Sequence, residues 1–217
     1  RTPARQALTV LAALVALALL APLIAPYPPN AVLFDGTRAA LPPQAEHWLG
    51  TDPLSRDVLS RLLAGARVSL GIAFTAVALA LSLGTIVGAG AALGGRWVDA
   101  LLMRITDTVL AFPRVLLLLL LVASIGPTST LTLGLLIGST GWMTTARLVR
   151  QETLRLLASE HLLGARALGV PPLRLLRVHL LPTIVPTLIA AGTVALAAAI
   201  PLEAALSYLG LGVPTPR

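Results

Sequence analysis

The chain has no cysteine and no lysine among its 217 residues. Without cysteine there is no disulfide framework, no thiolate metal site and no cysteine nucleophile. Charge is scarce: Asp, Glu, Lys and Arg make up 12% of the residues, against about a quarter in an average soluble domain. A soluble chain of this size must still present polar groups over much of its surface. The shortage argues against a soluble enzyme, and an apolar content of 56% argues against disorder. There is no G-x-x-x-x-G-K-[ST] phosphate loop, no zinc-type helix motif and no serine elbow, so neither a catalytic residue nor a metal site is read from the sequence. What charge exists is mostly positive, a net +7 with every cation an arginine. Its placement decides what it means.

Apolar runs dominate what is present. Ala7 to Ala25 carries no charge and has the length of a bilayer crossing, about 20 residues as helix. That length, and Pro22, Pro26, Pro28 and Pro29 in place of a cleavage site, favour a retained span over a secretory leader. Tyr27 to Gly65 opens as a proline-rich loop. Asp52 as N-cap and Pro53 at the first helical position then predict an amphipathic helix at the membrane surface. Its apolar face is Leu54, Val58, Leu59, Leu62 and Leu63, with Asp57 and Arg61 paired at i,i+4 on the other face. Val68 to Leu93 reads as a second span, with Gly71, Gly84, Gly88 and Gly90 allowing close helix approach. Val98 to Ile125 reads as a third helix, kinked near Pro113, with Arg104 and Asp107 paired at i,i+3. Leu131 to Ala146 makes a fourth span, and Thr183 to Leu202 a fifth. Trp48, Trp97 and Trp142 suit interfacial anchoring.

Charge gives an orientation. With the N-terminus inside, ten arginines fall on inner segments: Arg1, Arg5, Arg96, Arg104, Arg147, Arg150, Arg155, Arg166, Arg174 and Arg177. Arg38, Arg56, Arg61, Arg67 and Arg217 fall outside, near Asp35, Glu46, Asp52 and Asp57. This obeys the positive-inside rule. It spreads the cations along a membrane edge and not over one face, so no nucleic-acid partner is expected. The chain opens on Arg1, and five spans leave its end outside. A piece lacking a sixth span is the expectation.

One inner segment stands apart, the polar loop 151–182. Ser159 to Leu168 reads as a helix capped by Ser159. Gly169 supplies the left-handed residue at its end, and Pro171-Pro172 starts a second helix, Leu173 to Leu181, which Pro182 separates from the fifth span. Gly164, Ala165 and Ala167 leave room for a partner, and loops of this length usually have a function. His161 and His179, with a Pro-Pro break between them, read as packing or headgroup contacts and not as metal ligands.

These residues resemble the EAA loop of bacterial ABC-importer permeases: E-A-A, three residues, G, nine residues, I-x-L-P. Leu163, Gly164, Ala165, Gly169, His179, Leu181 and Pro182 fit that spacing, with Leu163, Gly164 and His179 departing in residue type. Glu160 lies one turn before the missing Glu. His47 to Leu70 resembles the segment before the second span in C-type permeases of dipeptide, oligopeptide and nickel importers, with Ser55 where that family usually has Gly. Leu202 to Gly212 resembles the family's stretch after the fifth span.

The resemblance implies an all-α, polytopic transmembrane helix bundle of the type I (MetI-like) importer permease architecture, with five of six spans. Residues 1–66 would hold the first span and the outer loop, and 67–217 an incomplete permease domain. It implies a bacterial inner-membrane protein, with partners in a second homologous permease subunit, two ATPase subunits and an extracytoplasmic solute-binding protein. The chain would bind no cofactor, ATP and Mg belonging to the ATPases. Glu160, Leu163, Gly164, Ala165, Arg166, Gly169, Arg174, Arg177, Leu181 and Pro182 would form the ATPase-coupling loop. Glu203, Asp107 and Arg114 are candidates for the translocation path, since ionisable residues at bilayer depth are functional by default. A secondary transporter fragment would need inverted repeats, and a plain membrane anchor would leave these strings unexplained.

Overall fold

The structure, a computed structural model, describes residues 2–32, 40–126, 129–171 and 174–213. For 2–8, 10, 11, 14, 161, 165–167 and 177 it describes the backbone alone. The chain divides into two compact units, 1–71 with the last four residues and 72–213. Among the described residues the regular structure is helical, apart from one bridge between Thr51 and Asp57.

The first unit holds α1, Thr2–Ile24, whose bounds nearly match the expected first span. Its 23 residues reach about 35 Å, and Val15–Ile24 is its apolar part. The amphipathic helix expected from Asp52 does not form there. Residues 52–57 make a turn, and α2, Val58–Leu93, starts six residues later. Asp52 takes the amides of Leu54 (2.8 Å) and Arg56 (3.0 Å) onto its side chain, and Ser55 is left-handed at φ 59°. That backbone cannot continue a helix. The N-cap is Asp57, whose carboxylate accepts the Ser60 amide at 2.8 Å.

In the second unit α2 is the axis. Two later helices lie along it in succession, and both run parallel to it. Gly134 of α5 (Thr130–Ser139) meets Ile72 and Thr75, and Gly138 meets Ala76 and Leu79. Further along, Gly84 meets Trp142 and Thr145 of α6 (Trp142–Leu157), and Gly88 meets Ala146 and Val149. A Cβ on Gly88 would fall within 2.9 Å of the Val149 Cβ, so this approach requires glycine.

The expected fourth span is therefore not one helix, because Thr140 and Gly141 interrupt it. The expected third span is a corner. Helix α3 (Gly95–Leu110) and α4 (Arg114–Ile125) meet at 83°. Pro113 has no amide and its ring excludes the preceding carbonyl, while Phe112 before it is driven out of helical geometry. Among the described residues two helices, Val58–Leu93 and Val178–Tyr208, are long and apolar enough to cross a membrane, with α3–α4 a third if a bent pair counts as one span. Helix α7, Glu160–Ala167, precedes a π-helical turn, Leu175–Leu180, which runs straight into α8, Leu181–Tyr208. Pro182 does not separate loop from span. It lies in the first turn of α8, where the wider π turn before it accommodates a missing amide.

Gly88→Val will destabilise the helix pair by about 1–3 kcal/mol, whereas Gly65→Ala, with no atom within 4 Å of the new methyl, will be neutral or stabilising. Thermal aggregation of the detergent-purified chain measures both. Equal behaviour of the two variants would contradict the packing.

Candidate functional site

The loop that carries the coupling candidates is packed down by residues that are not among them. Leu162 of α7, Leu175 and Leu180 of the π turn, and Ile184 of α8 join Ala89 of α2 and Val149 and Leu157 of α6 in a buried apolar cluster. Val170, Leu176 and Leu188 pack against it. Such a core fixes the loop to the ends of three long helices. The Ser159 hydroxyl does not cap α7 as expected. It donates back to the Leu156 carbonyl at 2.6 Å, closing α6. Gly169 is left-handed at φ 78°, as its position after α7 predicts.

The outward side of the same loop is different. Glu160, Leu163, Gly164, Gly169, Arg174 and Pro182 are exposed, and Leu181 is half-buried. Leu168, beside Gly169, is 86% exposed, an apolar knob at the tip of the turn. Sequence reasoning passed over Leu168. The signal was an apolar residue directly before a helix-ending glycine, where a helix that packs one face has no burial to offer. The backbones of Ala165 and Arg166 lie in α7 and that of Arg177 in the π turn, but their side chains lie outside the described residues. Pro172 and Leu173 lie outside altogether.

The loop is continuous with α6, and α6 is tied to α3. Arg150 forms a two-pronged pair with Asp99, Nη2 to Oδ2 at 2.5 Å. Arg147 donates to Asp107 at 2.6 Å. Asp107 is thus held by Arg147, and the expected pair with Arg104 does not form. The side chains of Arg150 and Asp99 are 28% and 26% exposed, those of Arg147 and Asp107 49% and 55%. The first pair is better shielded from water and carries more of the tie.

Arg114 opens α4 just past the Pro113 corner. Its Nη2 donates to the Ile137 carbonyl at 3.1 Å and its Nε lies 3.4 Å from the Thr140 hydroxyl. Both acceptors belong to the end of α5, where helical carbonyls lack partners. A cation there also opposes the negative end of the helix dipole. Arg114 does not face Asp107. An arginine at the bilayer centre costs about 2.5–3.5 kcal/mol on insertion scales, and these two acceptors offset part of that. Glu203 is buried in α8 and accepts the Ser207 hydroxyl at 2.7 Å. The helix then ends at Gly210, φ 77°, with the Leu211 amide on the Leu206 carbonyl and the Gly210 amide on the Ser207 carbonyl.

The first unit carries a polar cluster that sequence reasoning did not assemble. His47 Nδ1 lies 3.0 Å from Asp57 Oδ1, and the Ser60 hydroxyl donates to Asp57 Oδ2 at 2.7 Å. The Tyr27 amide donates to Ser60 Oγ, and the Tyr27 and His47 rings are 5.0 Å apart. Arg61 pairs with Asp52 at 3.1 Å, not with Asp57 as the helical spacing predicted. The serine bonds the carboxylate, not the imidazole, so the arrangement is no nucleophilic triad. It pins the loop to the start of α2.

Residues 80–217 match the family described as binding-protein-dependent transport system inner membrane component. A putative peptide permease protein of Brucella abortus is 40% identical over 195 residues, 90% of this chain and 64% of that protein. The dipeptide transport system permease protein of Bacillus subtilis is 35% identical over 214 residues, 98% of this chain and 66% of the relative. The nickel transport system permease protein of Escherichia coli is 36% identical over 216 residues, all of this chain and 77% of the relative. The chain thus spans 64% of the length of the first of these relatives.

Burial pushes the Asp57 carboxyl up, but the Ser60 amide and hydroxyl and the His47 ring outweigh it and hold it below its ordinary value of 3.8. A depressed carboxylate contributes stability above its unfolded value, lost only as pH falls through the lower folded one. The protection factor of the Ser60 amide will therefore stay high at pH 5 and fall only as pH drops below about 3.8. In Asp57→Ala it will be low at both. Protection in the wild type that is lost already near neutral pH would contradict this assignment.

Proposed function

As the chain belongs to the family of binding-protein-dependent transport system inner membrane components, we propose that it forms one half of the membrane channel of an ATP-driven peptide importer. A second homologous permease subunit completes the channel. Two ATPase subunits dock on the inner loop, and an extracytoplasmic solute-binding protein delivers substrate to the outer side. The N-terminus lies in the cytoplasm. ATP is hydrolysed on the partner subunits, and this chain converts their closure into helix movement.

The observation that carries this reading is the build of the inner loop. One side is anchored in a core shared by α2, α6 and α8, and the other presents Leu163, Gly164, Leu168, Gly169 and Arg174. A rigid base with an exposed apolar knob fits a coupling element, because displacement of the tip must move the helices beneath it. Of the three candidate pathway residues, Arg114 and Glu203 carry the proposal, lying on α4 and α8 within the spanning helices. Asp107 is engaged by Arg147 and serves to hold α3 on α6.

Peptides are the substrate class favoured by the names of the Brucella and Bacillus relatives. Nickel is the second reading, because the Escherichia coli nickel permease aligns with the whole chain. Accumulation of Ni²⁺ but not dipeptide by reconstituted vesicles would favour nickel.

In the assembled transporter, Gly169→Asp and Leu168→Asp will abolish ATPase co-purification while the permease pair stays intact. Glu203→Gln will keep the ATPases bound and lower uptake about tenfold. ATPase binding unaffected by both loop variants would overturn the docking role, and undiminished uptake in Glu203→Gln would remove that residue from the path.

A further inference from the structure

One cavity lies where α2, α4, the α5–α6 break and α8 come together in the second unit. Its volume is about 40 Å³, and its walls are mostly small, Ala76, Ala80, Gly141, Ala195 and Ala199, with Val77 and Ile137 beside them. Alanine and glycine leave room without offering a polar partner. The one charged wall residue is Arg114. A guanidinium has five N–H donors, and two are directed to Ile137 and Thr140. Among the described residues no carboxylate lies within ion-pairing distance of Arg114. The two acceptors it has are neutral, so its charge is not cancelled. Arg114 is also exposed in the single chain.

We propose that Arg114 and this small-residue cavity form a site for the C-terminal carboxylate of the transported peptide. The inference rests on the peptide-importer reading and deepens it. A planar guanidinium with unused donors matches a carboxylate as a fork. Every unmodified peptide carries that group whatever its side chains, so one fixed cation can serve many sequences. Alanine walls suit the same task, since they accept varied neighbours without selecting among them. A bare divalent cation would be repelled at this position, which sets the site against nickel as cargo. Along α8, Ala195, Ala199 and Glu203 follow at i,i+4 spacing, which puts the carboxylate of Glu203 one turn beyond the cavity wall on the same helix face. A zwitterionic peptide offers its ammonium group to that end.

The test uses the complete transporter in proteoliposomes, with the solute-binding protein saturating throughout so that its own preference cancels. Uptake of dialanine is compared with uptake of dialanine amide, which lacks the carboxylate charge. The wild type will prefer the free acid, and Arg114→Gln will reduce that acid-to-amide preference about tenfold. Arg114→Lys will retain more of it than Arg114→Gln. Should Arg114→Gln fail to assemble, Ala195→Leu fills the cavity from α8 while keeping Arg114 itself, and the same fall is expected. A preference unchanged in these variants overturns the site while leaving the peptide reading intact. Equal loss of both substrates in Arg114→Gln also overturns it, marking Arg114 as a support of the α5 end or a contact to the partner subunit. If wild-type vesicles accumulate neither compound, the peptide reading falls and takes this site with it.

Discussion

The ion pair between Asp99 and Arg150 is the tie on which the inner end of the second unit depends. Helix α6 starts beside Gly84 of α2 and ends in the coupling loop. Packing alone fixes it to α2, through glycines that bring the helices close. The outer face of α3 exposes Trp97, Leu101 and Ile105. Toward α6 it presents Asp99 in the two-pronged pair, supported by the more exposed Arg147–Asp107 pair. The contacts thus run in series from the loop through α6 to α3, and across the Pro113 corner to α4 and Arg114.

A second constraint shapes the middle of the unit. Backbone groups at bilayer depth must find partners inside the protein. The α5–α6 break frees the carbonyls at the end of α5, and Arg114 answers at Ile137 and Thr140. The corner at Pro113 and the break at Thr140–Gly141 are thus one feature seen from two helices. The corner places the arginine, and the arginine satisfies part of the break. The carboxylate site proposed above lies at this same gap.

Much of this was legible in the sequence. Charge scarcity and the apolar runs gave a helical membrane protein, and the loop spacing gave the family. Gly169 was readable as a left-handed helix end because that conformation favours glycine over every residue with a Cβ. Ser55, where the resembled family usually has glycine, occupies a left-handed position that explains that preference. Other features depend on tertiary neighbours and were not readable. Asp57 could pair with Arg61 by spacing, yet His47, ten residues back, takes it. Asp107 had Arg104 at i,i+3, yet Arg147 reaches it from another helix. A proline at 113 announces a disturbance but not its angle, and Pro182 announced a boundary that the π turn absorbs. Hydropathy counts residues and cannot see an interruption as short as Thr140–Gly141.

The most direct test of the coupling account is a charge exchange at the Asp99–Arg150 pair, with peptide-stimulated ATPase activity and uptake measured together in the reconstituted transporter. Asp99→Arg and Arg150→Asp alone will each leave ATP hydrolysis running while uptake falls, because the loop then moves without α3. The double exchange will restore uptake toward the wild type, since the pair is re-formed with its sign reversed. A double variant no better than the worse single one, with all three proteins folded and assembled, would contradict the account.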